Sequence, residues 1–173
     1  MILNTLGLRD FGVFSGQHTI DLAPRIKYNR KRPIVLFGGL NGAGKTTTLT
    51  AIRLALYGRQ SMGRNISQAA YHEQLAEYIH KPTNSIIAPY AAAVELAFSY
   101  GKHGELNEYK VIRSWENKKS KVIEHLEIHK DNALLEGLSF DQLQSFLSEL
   151  IPIGVADLFF FDGEKIADLA EDN

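Results

Sequence analysis

The chain has 173 residues, of which 45% are apolar and 23% charged, a length and composition that suit one folded domain with a single core. No apolar run reaches the length of a membrane span, the N-terminus lacks the pattern of a secretory signal, and the absence of cysteine excludes disulfides and thiol-ligated zinc and fits the cytoplasm. With 19 Lys and Arg against 20 Asp and Glu, the overall charge argues against bulk electrostatic binding of nucleic acid, and any contact with DNA would have to be made by local patches or through partners.

The first 37 residues are predicted to form strands. Ile2, Leu6 and Leu8 recur at the period of two that is typical of a strand, and Gly12 marks a bend. A turn is predicted at residues 16–17 and a return strand at 18–22. The basic segment 25–31 is predicted to be an irregular loop. Residues 33–37 are continuously apolar and stop at two glycines, which is typical of a strand buried on both faces.

Helices and a meander of three strands follow. One helix is predicted to run from the glycine-rich loop to Gly58, and a second over residues 67–80. Apolar and polar residues alternate over 94–100, 109–115 and 122–128, which predicts an antiparallel meander. The residues from Ser139 to Gln142 have the form of a capping box, and the helix that they open is predicted to end before Pro152.

Residues 39–46 read Gly-Leu-Asn-Gly-Ala-Gly-Lys-Thr and match the phosphate-binding pattern G-x-x-x-x-G-K-[ST]. Glycines let backbone N–H groups approach phosphates, and the helix that follows directs its positive end at the same anion. In this pattern Lys45 reaches the β- and γ-phosphates, and the Thr46 hydroxyl binds Mg²⁺. The predicted strand before the pattern and the predicted helix after it favour a nucleotide site over a chance match.

A second acidic site is predicted where the apolar run 158–161 ends at Asp162. In one interpretation this is the strand whose Asp orders Mg²⁺, with Glu164 as a base for the attacking water. In the other it is a core strand that ends in an ordinary Asp-Gly turn. The pattern alone leaves both open.

The sequence resembles the N-terminal lobe of SMC-type ATPase heads, and most closely the DndD-type SMC-like ATPases of bacterial DNA phosphorothioation. The similar segments are 11–14, 18–22, 36–46, 51–58 and 159–166. The resemblance implies an α/β P-loop NTPase fold of the ABC/SMC-head type, in which an N-terminal lobe over residues 1–173 combines a mixed sheet with the antiparallel meander. It also implies that a coiled coil begins near residues 166–173.

The resemblance further implies a site for ATP and Mg²⁺. The nucleotide contacts carried over to this sequence are Gly39, Asn41, Gly42, Ala43, Gly44, Lys45, Thr46, Thr47 and Arg9. Lys45 and Asp162 are the implied catalytic residues, and Thr46 and Asp162 the implied metal ligands. Asp162 stands where SMC-like heads have the glutamine of the Q-loop, and a carboxylate can accept hydrogen bonds there but cannot donate them as an amide does.

The implied partners are DNA, a C-terminal lobe of the same protein, a second head in a homodimer and other phosphorothioation proteins, with no membrane partner. ATP hydrolysis is expected only when the C-terminal lobe and the second head complete the site. The alternatives are a nucleotide-binding domain of an ABC transporter, which the Asp at position 162 disfavours, and a nucleotide-dependent dimerisation module without activity of its own. A small GTPase is disfavoured because Asn117-Lys-Lys is followed by Ser120 and not by the base-reading Asp.

Overall fold

The computed structural model describes residues 1–28, 30–63, 65–83, 87–102, 104–119, 121–154 and 159–160. Within them lies one six-stranded sheet, and a separate hairpin stands beside it. The strands of the sheet are β1 (Ile2–Phe11), β2 (Phe14–Asp21), β5 (Ala91–Lys102), β6 (Glu105–Lys118), β7 (Lys121–Lys130) and β8 (Ala133–Leu134), in the order β2-β1-β5-β6-β7-β8. The hairpin consists of β3 (Arg25–Lys27) and β4 (Arg30–Arg32).

Three α-helices pack on the sheet. They are α1 (Lys45–Tyr57), α2 (Gln68–Tyr78) and α3 (Phe140–Leu150), and a short 3₁₀ helix (Gly58–Met62) continues from α1. Helix α1 contacts β5 and β6, α2 contacts β6 and β7, and α3 contacts both α1 and β7. The core therefore lies between the middle of the sheet and the three helices.

The core takes its residues from alternate positions of the central strands, as period-two patterning requires. Leu6 and Leu8 of β1, Val94 and Leu96 of β5 and Trp115 of β6 are all buried. Helix α1 contributes nearly its whole second half, from Ala51 to Tyr57 apart from the half-buried Arg53. Because this helix begins at the phosphate-binding loop, the loop is attached to the most buried element of the domain.

Several sequence predictions are confirmed. Helix α1 ends at Gly58, which has a positive φ of 50°. The predicted meander is β5, β6 and β7, joined by antiparallel pairing. Ser139 and Gln142 form the predicted capping box at the start of α3, in which the Ser139 hydroxyl accepts from the Gln142 N–H and the Gln142 side chain accepts from the Ser139 N–H.

Two predictions at the N-terminal hairpins are wrong. The turn between β1 and β2 is at Gly12 and Val13, whereas Gly16 lies inside β2 with a φ of 74°. The N–H of Gly16 donates to Asp10 Oδ1 (2.8 Å), so this irregular strand residue is held by the preceding strand. The basic segment predicted as a loop forms the β3–β4 hairpin. Its irregular composition gave no strand pattern, but backbone hydrogen bonds pair three residues on each side of the turn at Tyr28.

The strand predicted over residues 33–37 is also wrong, because the chain there has no regular secondary structure. Ile34 is 84% exposed and Leu36 is 89% exposed. A buried strand needs neighbours on both edges for its backbone hydrogen bonds, and no described strand pairs with this segment. The expected buried strand is therefore missing from the sheet, and every strand pairing among the described residues is antiparallel.

Candidate nucleotide-binding site

The phosphate-binding loop enters α1 through two glycines in left-handed backbone conformation. Gly42 has a φ of 82°, and Gly44, at the N-cap position of α1, has a φ of 92°. A residue with a Cβ is strained at such angles, which explains why the pattern fixes glycine at position 44 and why glycine also suits position 42. No side chain caps the helix, and its first turn has no acidic residue. The N–H groups of that turn have no partner within the helix, and together with the positive end of the helix dipole they suit an anion.

Lys45 lies over the loop that precedes it. Its Nζ donates to the backbone carbonyls of Gly39 (2.9 Å) and Leu40 (3.2 Å). The ammonium group is therefore held across the loop at the mouth of the site. The next two threonines differ in burial: Thr46 is exposed and Thr47 is half-buried. The Thr46 hydroxyl is thus accessible to a metal ion.

A cavity of about 340 Å³ opens at this loop. Its lining residues are Val13, Asn41, Gly42, Gly44, Lys45, Thr46 and Thr47. Six of these belong to the residues predicted from the sequence. Val13 was not predicted, although the Gly12 bend beside it is a signal that the chain turns sharply at this point.

The β1–β2 turn forms one wall of the site. A Cβ placed on Gly44 would lie 2.8 Å from the Phe14 ring and 3.0 Å from Val13 Cγ2, and one placed on Gly12 would lie 2.6 Å from Thr47 Cγ2. These contacts are too close for any larger residue without a shift of the turn or the loop. The two glycines therefore let the turn and the loop touch, which fixes the width of the cavity.

The chain after α2 holds the same turn in place. The Gly12 N–H donates to the Tyr78 carbonyl (2.7 Å), and the His80 N–H donates to the Asp10 carbonyl (2.8 Å). His80 Nδ1 lies 2.8 Å from the Gly12 carbonyl, which can only accept, so the nitrogen is the donor. Three hydrogen bonds thus tie the wall of the cavity to the end of α2.

Arg9 and Phe11, which precede the turn, are placed differently from each other. Arg9 is exposed on β1 and is not among the residues that line the cavity. Phe11 is fully buried, with its ring 5.3 Å from that of Tyr78 and 5.9 Å from that of Trp115. Phe11 is therefore a core residue, and Arg9 as a nucleotide contact stays a prediction.

Asp162 and Glu164 lie outside the described residues, as does the predicted start of a coiled coil near 166–173. Of the apolar run 158–161, only Phe159 and Phe160 are described. Phe159 is helical and 65% exposed, whereas Phe160 packs partly against the core, so the buried strand predicted for this run is wrong at Phe159. The roles proposed for Asp162 and Glu164 remain predictions.

A buried polar network supports α1 from behind the site. Arg113 of β6 is fully buried, and its guanidinium pairs with Glu124 of β7 (2.5 Å) and with the side-chain oxygen of Gln144 in α3 (2.6 Å). Tyr71 of α2 donates to the same glutamate (2.6 Å), and Gln144 donates to the Leu56 carbonyl of α1 (3.1 Å). The network therefore joins all three helices to the sheet.

The network was not predicted, although the sequence contains a sign of it. Arg113 occupies an inward position in the alternating strand that also contains Val111 and Trp115. A cation at such a position must be paired, because an unpaired buried charge is strongly unfavourable. Burial, partly offset by Arg113, raises the pKa of Tyr71 well above its usual range, so its hydroxyl stays a donor to Glu124.

The donor set fits a nucleotide triphosphate. Left-handed glycines, free first-turn N–H groups and a lysine at the mouth are the groups that cradle phosphate oxygens, and the cavity is of a size that holds a small-molecule ligand. The exposed Thr46 hydroxyl is a suitable oxygen ligand for Mg²⁺. Together the loop and helix define a P-loop nucleotide-binding domain.

The comparison with known families agrees with this class. The model of the AAA domain family matches residues 5–172, and the chain belongs to that family. It is therefore an AAA-type ATPase domain, and the P-loop NTPase fold class predicted from the sequence is confirmed. No helix among the described residues is long and apolar enough to cross a membrane.

Among the solved structures that match is the SMC head domain from Thermotoga maritima, with 18% sequence identity and a TM-score of 0.44. The match covers 79% of this chain and 39% of the other, so the chain spans well under half the length of that head domain. No curated protein matches the sequence.

Proposed function

We propose that this chain is the ATP-binding lobe of a cytoplasmic SMC-like ATPase of the DndD type, which acts on DNA in bacterial phosphorothioate modification. ATP drives the engagement of two heads and is then hydrolysed. The observation that carries the nucleotide part is the cradle at Gly42, Gly44 and Lys45, which opens into a cavity at the start of α1. The DNA-modification part rests on the resemblance of five sequence segments, of which 159–166 is the most distinctive.

The chain's own residues bind and orient the triphosphate. The N–H groups of residues 44–47 donate to phosphate oxygens, and Lys45 exchanges its carbonyl partners at Gly39 and Leu40 for the β- and γ-phosphates. Thr46, and in this proposal Asp162, would hold Mg²⁺, which would supply positive charge to the phosphates. Residues on a second head and on a C-terminal lobe complete the site for hydrolysis.

Exposed apolar residues before and within the phosphate-binding loop support a composite site. Ile34, Leu36 and Leu40 are 84%, 89% and 86% exposed. A run of large apolar side chains in water is unfavourable, and such surfaces usually mark an interaction site. In this proposal the C-terminal lobe of the same protein covers them. The same surface also supports the second candidate, a nucleotide-dependent dimerisation module without hydrolysis.

Replacement of Lys45 by alanine tests the nucleotide site. Binding of a fluorescent ATP analogue with Mg²⁺ should weaken about 10- to 100-fold, since a charge-assisted hydrogen bond contributes about 1.5–3 kcal/mol. Lys119→Ala removes an exposed lysine from the β6–β7 turn and is the matched control. Unchanged binding in Lys45→Ala would show that the cradle is not the nucleotide site.

Two further measurements separate the parts of the proposal. Asp162→Ala should slow Mg²⁺-dependent ATP turnover by the full-length protein more than it weakens nucleotide binding. An unchanged rate would show that Asp162 has no role in hydrolysis.

Cells that carry Lys45→Ala should lose phosphorothioate linkages, measured by mass spectrometry of digested DNA. If the linkages persist while ATP binding is lost, the chain is an ATPase domain that acts elsewhere.

A further inference from the structure

The near-zero net charge hides a strong segregation of charge along the chain. Nine of the 19 Lys and Arg residues lie between positions 22 and 72, whereas none of the 20 Asp and Glu residues does. The remainder of the chain is correspondingly acidic. The positive charge of this segment therefore favours binding of an anion, although the chain as a whole is nearly neutral. The phosphates of a nucleotide at Lys45 would neutralise only a part of this charge.

The densest part of this basic segment is the β3–β4 hairpin. Five of its six strand residues are Lys or Arg. The register places Arg25 opposite Arg32 and Lys27 opposite Arg30. Directly opposite residues of an antiparallel pair lie on the same face, and so do alternate residues of one strand, so Arg25, Arg30 and Arg32 share one face of the hairpin.

No protein group in the described part of the chain pairs with the arginine side chains of this hairpin. Arg25, Arg30 and Arg32 are exposed, and none of the ion pairs or hydrogen bonds between described residues involves their side chains. The nearest carboxylate in the sequence before the hairpin is Asp21, which accepts from the Ala23 N–H. Beyond the hairpin the next carboxylate in the sequence is Glu73.

Among the described residues, the hairpin is a two-stranded sheet of its own. Its two strands make extensive contacts only with each other, and its arginines are not among the residues that line the nucleotide cavity. Tyr28 at its tip is 82% exposed. Like charges placed opposite one another are unfavourable for the pairing of these two strands.

We propose that the β3–β4 hairpin binds the phosphate backbone of duplex DNA without regard to sequence. Duplex DNA presents one negative charge about every 1.7 Å along its axis, so a row of paired cations meets several phosphates at once and releases their counterions. Arginine favours this contact because its planar group donates to phosphate oxygens in pairs. The inference extends the proposed function, in which DNA is a partner, and it requires neither ATP nor hydrolysis.

Fluorescence anisotropy with a labelled duplex, in the absence of nucleotide, tests the inference. Arg25→Glu/Arg32→Glu should weaken binding roughly tenfold or more at low salt and lower the slope of log K against log salt by about two. Lys119→Glu/Lys121→Glu changes the net charge equally at the exposed β6–β7 turn and should leave the slope unchanged. A circular dichroism melt of each variant checks that the fold is retained.

The outcomes distinguish this inference from the nucleotide proposal. If both pairs of reversals weaken DNA binding equally, or if the wild-type protein does not bind the duplex, the hairpin site is overturned. Hairpin-dependent binding to phosphatidylglycerol vesicles without DNA binding would also overturn it, in favour of a membrane surface. Binding of the fluorescent ATP analogue should be the same in the hairpin variant and wild type, whereas Lys45→Ala should bind the analogue about 10- to 100-fold more weakly and still bind the duplex.

Discussion

At the scale of single residues, the two left-handed glycines of the phosphate-binding loop differ in their surroundings. A Cβ on Gly44 would meet Phe14 and Val13 at 2.8–3.0 Å, whereas a Cβ on Gly42 would meet nothing within 4 Å. Both substitutions by alanine bring the strain of a positive φ, about 1–2 kcal/mol. Only Gly44→Ala adds overpacking, about 1–3 kcal/mol. In chemical denaturation, Gly44→Ala should therefore lower the free energy of unfolding more than Gly42→Ala does, and equal losses would show that the β1–β2 turn does not press on the loop.

The contact between Gly12 and Thr47 gives a second prediction at this scale. Alanine at position 12 would meet Thr47 Cγ2 at 2.6 Å, and Thr47→Ser removes that methyl group. The serine substitution should therefore rescue part of the stability that Gly12→Ala loses. A double-mutant cycle in urea should give a coupling energy of about 0.5–3 kcal/mol. Additive effects of the two substitutions would place the turn farther from α1.

At the scale of elements, the network around Arg113 makes stability depend on pH in the alkaline range. The raised pKa of Tyr71 means that the folded protein keeps this proton, while the unfolded chain releases it above about pH 10. Since the unfolded state then binds fewer protons, the free energy of unfolding falls as pH rises, by about 1.4 kcal/mol per pH unit from this group. Tyr71→Phe should cost about 1 kcal/mol at neutral pH, through the lost bond to Glu124, and should flatten this alkaline decline.

Urea denaturation at several pH values between 9 and 11 measures the difference. Tyr90→Phe is the control, because this tyrosine is exposed and makes no hydrogen bond to Arg113, Glu124 or Gln144. The prediction is that the wild type and Tyr90→Phe decline in parallel and that Tyr71→Phe declines less steeply. Parallel profiles for all three proteins would mean that Tyr71 ionises freely and does not hold α2 to the sheet.

At the scale of the whole molecule, local patterns in the sequence predict the elements well and their partners poorly. The meander, α1 and the capping box at Ser139 follow from periodicity and from short-range hydrogen bonds, which the sequence carries in neighbouring residues. The cradle is predicted for the same reason, because its glycines and Lys45 are contiguous. The wall of the cavity that contains Val13 and the network around Arg113 both consist of residues that are distant along the chain. Only the three-dimensional structure brings these residues together.

The segment 33–37 fails for a related reason and gives the last prediction. Its apolar run favours a buried strand, but burial needs a neighbour that the described residues do not provide, and Ile34 and Leu36 stay exposed. Because these side chains bury little surface in this chain, Ile34→Ser/Leu36→Ser should leave the free energy of unfolding within about 0.5 kcal/mol of the wild type. The pair should lower binding of the dye ANS and self-association, since both depend on exposed apolar surface. Leu106→Ser, at an exposed leucine in β6, is the control and should change dye binding less. A large loss of stability in the double variant would place residues 33–37 inside a core, contrary to the exposed surface on which the composite site depends.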